Sequence, residues 1–241
     1  MGVKLLDYPK ITATKINLIP NWATLPVRYR ELDSENPYRR QCGGRFIVAM
    51  SGNAGFTHDP ESVFEAARIL QNNPDIKFLL SGEGVGWTKL NEMQAASPLP
   101  NVTLIGRVPE SELESFLCAG DIWIVPYRKN NTGVSVPSRI YNLLAIGRPI
   151  IICSEPDAEA AILMREEDIG WVTPPEEPQA IARIISLAAS SAANTREKGQ
   201  RAAIVASRFT RQIALSAYRD LMHRLLDRQH SRSQIGLKTA A

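Results

Sequence analysis

Apolar positions follow two rhythms that alternate along most of the chain. Phe46-Ile47-Val48-Ala49-Met50 is apolar at every position. A run of that length without polar alternation reads as a strand buried on both faces. Ser51-Gly52-Asn53-Ala54-Gly55 breaks it, and over 60–70 Val63, Phe64, Ala67, Ile69 and Leu70 return at helical spacing. The pair then repeats. Strands are predicted over 77–80, 102–105, 121–126, 149–153 and 171–172, and helices over 87–93, 110–117 and 157–164. A polar loop after the fourth strand runs through Val136-Pro137-Ser138-Arg139 into a short apolar helix that Gly147 should end, glycine being the residue best suited to a left-handed helix terminus. Helices over 178–189, 195–207 and 210–228 close the pattern, and 231–241 reads as a frayed tail.

Apolar strands alternating with amphipathic helices specify an α/β fold, a Rossmann-like doubly wound parallel sheet with extra C-terminal helices. Such a sheet takes its ligands at the carboxyl ends of the strands. Gly52-Asn53, Gly82-Glu83-Gly84 and the stretch 132–139 all fall on that edge. Residues 1–45 carry one short apolar run, ending in Pro20-Asn21-Trp22, and then a charged stretch over 28–40 without a lasting period. A segment of this kind lies across a partner surface or links two domains. The expected division is 1–45 as linker, 46–190 as the Rossmann-like domain, 191–230 as C-terminal helices and 231–241 as tail.

Composition narrows the chemistry. With 241 residues and 44% hydrophobic content the chain can bury one substantial core. A net charge of +3, without basic residues interleaved with aromatics, does not call for nucleic acid. Cys42, Cys118 and Cys153 are widely spaced and read as reduced core residues, not metal ligands. No stretch approaches the roughly 20 apolar residues of a membrane span. The N-terminus lacks the long apolar region of a signal peptide, so a cytoplasmic location is expected. The last helix has Phe209, Ile213, Ala217, Leu221 and Leu225 on one stripe, with Arg208, Arg211, Arg219, Arg224 and Arg228 around it. Packing against the domain is the usual role of such a helix; peripheral contact with the anionic inner face of a membrane is the alternative.

Each candidate residue has a plain reading beside the functional one. The start of the helix after the polar loop offers unpaired backbone N–H groups, the Ser138 hydroxyl and the Arg139 guanidinium, which suit a phosphate; an ordinary capped helix needs no ligand. Gly52 and Asn53 follow the first strand, where backbone can approach phosphate, or they make a tight turn. His58 can donate to a sugar or phosphate, or simply occupy the loop before the helix. Glu159, near the start of a helix, can accept from vicinal hydroxyls or complement the helix dipole. Arg107, with Val108, can lean over a base or sit in solvent. Gly82-Glu83-Gly84-Val85-Gly86 lacks dinucleotide-fingerprint spacing and reads as a surface turn. No Cys/His cluster and no nucleophile with an adjacent base is present.

Taken together, Ile19-Pro20-Asn21-Trp22, Met50-Ser51-Gly52-Asn53-Ala54-Gly55 with His58-Asp59, Asn101-Val102-Thr103-Leu104-Ile105-Gly106, Val136-Pro137-Ser138-Arg139-Ile140-Tyr141-Asn142, Gly147-Arg148-Pro149 and Asp157-Ala158-Glu159 form an ordered series. It resembles the donor-nucleotide half of the family 4 (group 1) retaining glycosyltransferases of GT-B fold, nearest their exopolysaccharide, colanic-acid branch. The resemblance implies that the chain binds a nucleotide sugar for transfer, with retention, to a glycan or lipid-linked acceptor in cell-surface polysaccharide synthesis. The base would lie near Arg107 and Val108. The diphosphate would lie against Gly52, Asn53, His58, Thr132, Gly133, Ser138 and Arg139, and Glu159 would meet sugar or ribose hydroxyls. Arg139 and Glu159 would be the catalytic pair. Many members use neither cofactor nor metal, so none is expected. The broader family carries two glutamates flanking this loop and helix; here Thr132 and Asn142 stand in their places. GT-B enzymes also have an N-terminal acceptor domain, and residues 1–45 would be its remnant. The resemblance therefore leaves open a subunit completed by a partner chain, or a module that binds a nucleotide sugar without catalysis. A sugar-nucleotide epimerase fits less well, because its acid and base carboxylates cannot be placed.

Overall fold

The structure, a computed structural model, describes residues 6, 8, 10–133 and 138–238, and side chains as far as residue 227. Six strands form one parallel sheet: β1 (Phe46–Met50), β2 (Ile76–Ser81), β3 (Val102–Ile105), β4 (Ile122–Pro126), β5 (Ile150–Cys153) and β6 (Gly170–Thr173). Their order is β3-β2-β1-β4-β5-β6. Every strand predicted from apolar runs is present, and β6 extends from two predicted residues to four. In β1, β4 and β5 every residue is buried. That explains the missing alternation, since both faces of the sheet are covered.

Alternate residues serve two separate cores. Ile47, Ala49, Trp123, Val125, Ile150 and Ile152 face one; Phe46, Val48, Met50, Ile122, Ile124 and Ile151 face the other. Between the strands run α2 (Pro60–Ile69), α3 (Val85–Ala96), α4 (Leu113–Leu117), α5 (Arg139–Ala145) and α6 (Glu159–Glu166), after an earlier α1 (Pro37–Cys42). Then come α7 (Pro178–Ser190), α8 (Ala192–Ala206) and α9 (Arg211–Lys238). Among the described residues no helix is long and apolar enough to cross a membrane.

Three expectations are corrected. Helix α1 lies inside the stretch that has no periodicity. It rests instead on local chemistry: Asn36 Oδ1 accepts from the Tyr38 and Arg39 amides at 3.0 and 3.3 Å, Pro37 opens the helix, and Gly43 follows it. The helix predicted over 110–117 begins with a 3₁₀ turn, Glu110–Glu112, before α4. The last helix runs on to Lys238, through much of the segment read as a tail.

The segment ahead of β1 packs against the domain. Leu25, Val27 and Tyr38 sit against the first core. The Arg28 and Arg30 amides donate to the Ala145 and Ile146 carbonyls at 2.8 and 3.2 Å. Arg148, 2% exposed, donates to the carbonyls of Arg30 (2.6 Å) and Cys118 (3.2 Å). Gly147 ends the α5 region at φ +74°, as expected, and a Cβ there would collide with the Tyr29 ring.

Candidate functional site

Strand order reverses between β1 and β4, so the loops leaving their carboxyl ends diverge and open a crevice. A cleft of about 490 Å³ occupies this place, lined among others by Asn21, Trp22, Gly52, Ser138, Arg139 and Asn142. Arg139 is the one ionisable side chain among the described residues that line it.

Gly52 makes the cleft floor. Its φ of +106° is a left-handed value that disfavours a side chain, and a Cβ would land on the Arg139 guanidinium. The guanidinium therefore lies directly over the backbone that leaves β1. Arg139 makes no hydrogen bond or ion pair with any described residue, and burial pushes its pKa down from the ordinary value. Desolvating a cation is unfavourable unless an anion compensates. Ser138 is exposed, and its hydroxyl makes no capping bond to α5. Because α5 has only seven residues, its dipole is small and the charge in this cleft is carried by Arg139.

His58 stands next to this pair. Its Nδ1 lies 3.2 Å from Thr57 Oγ1, and its ring centroid is 5.2 Å from that of Tyr127. Burial first, and then the Arg139 charge, lower its pKa to about 4. The histidine is therefore neutral at physiological pH. Asp59 is not a cleft residue: its Oδ1 accepts from the Ser62 amide at 3.4 Å and caps α2.

Asn53 is exposed and turned the other way, bridging to Glu83. The stretch Gly82-Glu83-Gly84-Val85-Gly86, read as a surface turn, braces the Gly52 turn. The Ala54 amide donates to the Glu83 carbonyl at 3.0 Å, and the Gly86 amide donates to the Ala54 carbonyl at 2.9 Å. A Cβ on Gly84 would come within 2.5 Å of Asn53 Oδ1. These glycines serve close packing between the two loops.

Thr132 and Gly133 are half-buried in the loop after β4. The Thr132 hydroxyl donates to Glu155 at 2.9 Å, and the Asn130 amide donates to the same carboxylate. Residues 134–137 of the predicted phosphate loop lie outside the described residues. Glu159 is the exposed first residue of α6, close enough to Tyr141 for its charge to raise that phenol's pKa after burial has done so. It does not line the cleft. Arg107 is exposed at the end of β3, 3.6 Å from Glu83, and Val108 packs against the first core. Of the residues singled out from the sequence, Gly52, Ser138 and Arg139 line the cleft and His58 adjoins them. Thr132, Gly133, Asn53, Arg107, Val108 and Glu159 surround it at greater remove.

Residues outside the candidate set also line the site, Asn142 and Trp22 among them. Asn142 lines it three residues after Arg139, and the i, i+3 spacing carried that signal. Trp22 comes from the N-terminal segment, where it closes the Ile19-Pro20-Asn21-Trp22 stretch of the resemblance, though periodicity does not point to it. No group of three or more His, Cys, Asp or Glu residues that could hold a metal gathers among the described residues.

The parallel six-stranded sheet with helices on both faces has the architecture of one half of a GT-B fold. The sequence profile of the family described as "Glycosyl transferases group 1" matches residues 47–190, and the chain belongs to this family. A Pseudomonas aeruginosa protein assigned as glycosyltransferase WbjE is 28% identical over 142 residues, 59% of this chain and 35% of that protein. An Escherichia coli K12 protein assigned as the colanic acid biosynthesis glycosyl transferase WcaI is 26% identical over 180 residues, 73% of this chain and 44% of that one. The chain thus spans less than half the length of these relatives. Among solved structures, Anabaena HepE in complex with UDP-glucose superimposes with a TM-score of 0.71 at 18% identity, covering 94% of this chain and 61% of that one.

Proposed function

We propose that this chain is the donor-binding part of a retaining glycosyltransferase that moves a sugar from a nucleoside diphosphate sugar to a glycan or lipid-linked acceptor in cell-surface polysaccharide synthesis. The observation that carries this reading is Arg139, a half-buried guanidinium with no carboxylate partner among the described residues, over the Gly52 backbone in a cleft whose described lining holds no acid. A diphosphate supplies the missing countercharge. The similarity to WcaI, assigned to colanic acid synthesis, and to HepE, solved with UDP-glucose, supports the substrate class.

In the transfer, the bond between the sugar's anomeric carbon and the diphosphate oxygen breaks while the acceptor oxygen bonds to the same face of that carbon. The acceptor proton passes to a leaving-phosphate oxygen. Arg139 and the Ser138 hydroxyl stabilise charge as it develops on the diphosphate. His58, neutral and beside Arg139, is placed to donate a hydrogen bond to the sugar or phosphate. Glu159 and Arg107 with Val108 stand outside the cleft and are assigned to parts of the donor that extend beyond it, Glu159 to sugar or ribose hydroxyls and Arg107 with Val108 to the base. No metal or cofactor is invoked.

A second reading, a nucleotide-sugar-binding subunit completed by an acceptor-domain partner, is favoured by one surface. Leu215, Tyr218, Met222, Leu225 and Leu226 are about half exposed or more along α9. Arg224 in α9 is hydrogen-bonded to Asn17 of the N-terminal segment, where Leu18 is 74% exposed. Apolar surface of this extent on neighbouring elements suits a second domain.

Calorimetric titration of the full chain with UDP, GDP and their sugar conjugates tests the first reading. Binding of one nucleotide series, lost in Arg139→Ala, is expected. No binding by a chain shown to be folded would overturn it.

A further inference from the structure

We propose that Asn142 is a positioning residue that joins the two walls of the cleft and, being an uncharged amide, keeps Arg139 free for an anion. This rests on the diphosphate reading for its ligand, but the clamp is visible by itself. Asn142 Oδ1 accepts from the Thr24 amide at 2.7 Å and the Leu25 amide at 3.2 Å. Its Nδ2 donates to Thr24 Oγ1 at 2.9 Å. One carboxamide thus fixes a segment 117 and 118 residues away.

That segment is a cleft wall. Asn21, Trp22 and Thr24 line one side, and Ser138, Arg139 and Asn142 of the α5 region line the other. The clamp therefore determines how far Trp22 stands from the guanidinium. Only an amide meets both requirements. Its oxygen caps two backbone N–H groups while its nitrogen satisfies the threonine hydroxyl, using acceptor and donor together. A carboxylate would keep the acceptors but remove the donor, and at i, i+3 it would stand beside Arg139 as an ion-pair partner. The guanidinium would then be neutralised from within, and a diphosphate would have to displace the acid. Alanine would leave Arg139 as it is and release the wall.

The variants separate these two functions. Full-length Asn142→Ala, Asn142→Asp and Thr24→Val are compared with the parent by titration with UDP and with inorganic pyrophosphate, and by hydrogen exchange of peptides covering residues 21–30. Asn142→Ala is expected to speed exchange of the Thr24 and Leu25 amides by tenfold or more. It should weaken UDP by about three- to tenfold and leave pyrophosphate within twofold, since the cation is untouched. Asn142→Asp is expected to keep most of the exchange protection but weaken both probes by about tenfold. Thr24→Val, which removes the hydroxyl partner of Asn142 Nδ2 but keeps the backbone amide contacts, is expected to speed exchange over residues 21–30 less than Asn142→Ala does; exchange as fast as in Asn142→Ala would overturn the assignment of the clamp to the amide oxygen. The proposal is overturned if Asn142→Ala changes neither exchange nor UDP affinity, or if Asn142→Asp binds pyrophosphate as the parent does. A parent that binds neither probe would overturn the diphosphate reading and the charge argument together, while the exchange data would still judge the clamp.

Discussion

Arg139 concentrates the conflict between stability and function in one side chain. Removing an unpaired, desolvated cation should leave the fold intact, while an anionic ligand loses its charge-assisted contact. Arg139→Ala is expected to weaken nucleotide binding by about 1.5–3 kcal/mol, measured calorimetrically, with no loss of melting temperature. His58 gives a second reading of the same environment through pH. Its folded-state pKa, about 4, lies below the 6.5 of the free imidazole. Above pH 6.5 the histidine is neutral in both states and nothing is lost. As pH falls from 6.5 towards 4 the unfolded chain takes up a proton that the folded chain refuses, so stability declines over that window. The limit is roughly 3 kcal/mol. Urea unfolding at pH 7 and pH 4.5 should show a smaller decline in His58→Gln than in the parent. An equal decline would mean that His58 is not buried as described.

Among the connecting elements, the phosphate-side loop depends on a residue distant in sequence. Glu155, after β5, accepts from Asn130 and Thr132 in the loop after β4. Glu155→Ala should therefore loosen residues 129–133 at a cost of about 1–2 kcal/mol, seen as faster amide exchange in that loop with the β4 core unaffected. The sequence revealed the elements unevenly for the same physical reason. Strands β1, β4 and β5 are buried on both faces and show as unbroken apolar runs, and helices α2 and α7 carry clear amphipathic spacing. Helix α1 has only six residues and rests on an Asn36 cap and on Arg39, which is paired with Asp121 at 2.7 Å. Periodicity cannot reveal a helix held by its cap and by one long-range ion pair. The glycine stretch over 82–86 failed to match a ligand motif for a related reason: its partner is another loop.

At the scale of the molecule, the order β3-β2-β1-β4-β5-β6 decides where chemistry can occur, because only the gap between β1 and β4 opens a crevice. Charge compensation there by Arg139 leads to the expectation that chelation with EDTA leaves nucleotide affinity within twofold of the untreated chain. A tenfold loss restored by magnesium or manganese would assign part of the diphosphate's neutralisation to an ion. The exposed apolar side chains of α9 and Leu18 lie on adjoining elements.

The sequence by itself determined the local and the repetitive. Apolar runs and helical spacing are encoded within a few turns of chain, so the α/β class, the six strands and the Gly52 and Arg139 loops could be read directly. Tertiary structure alone decided which of those loops meet. Arg107, Val108 and Glu159 remain outside the cleft because β3, β5 and their loops flank the crevice between β1 and β4. Asn142 and Trp22 enter it because a segment more than a hundred residues upstream folds back onto α5 and is held there by the Asn142 amide together with the backbone bonds from Arg28 and Arg30. Contacts of that separation leave no trace in periodicity, since they depend on the packing of the whole sheet.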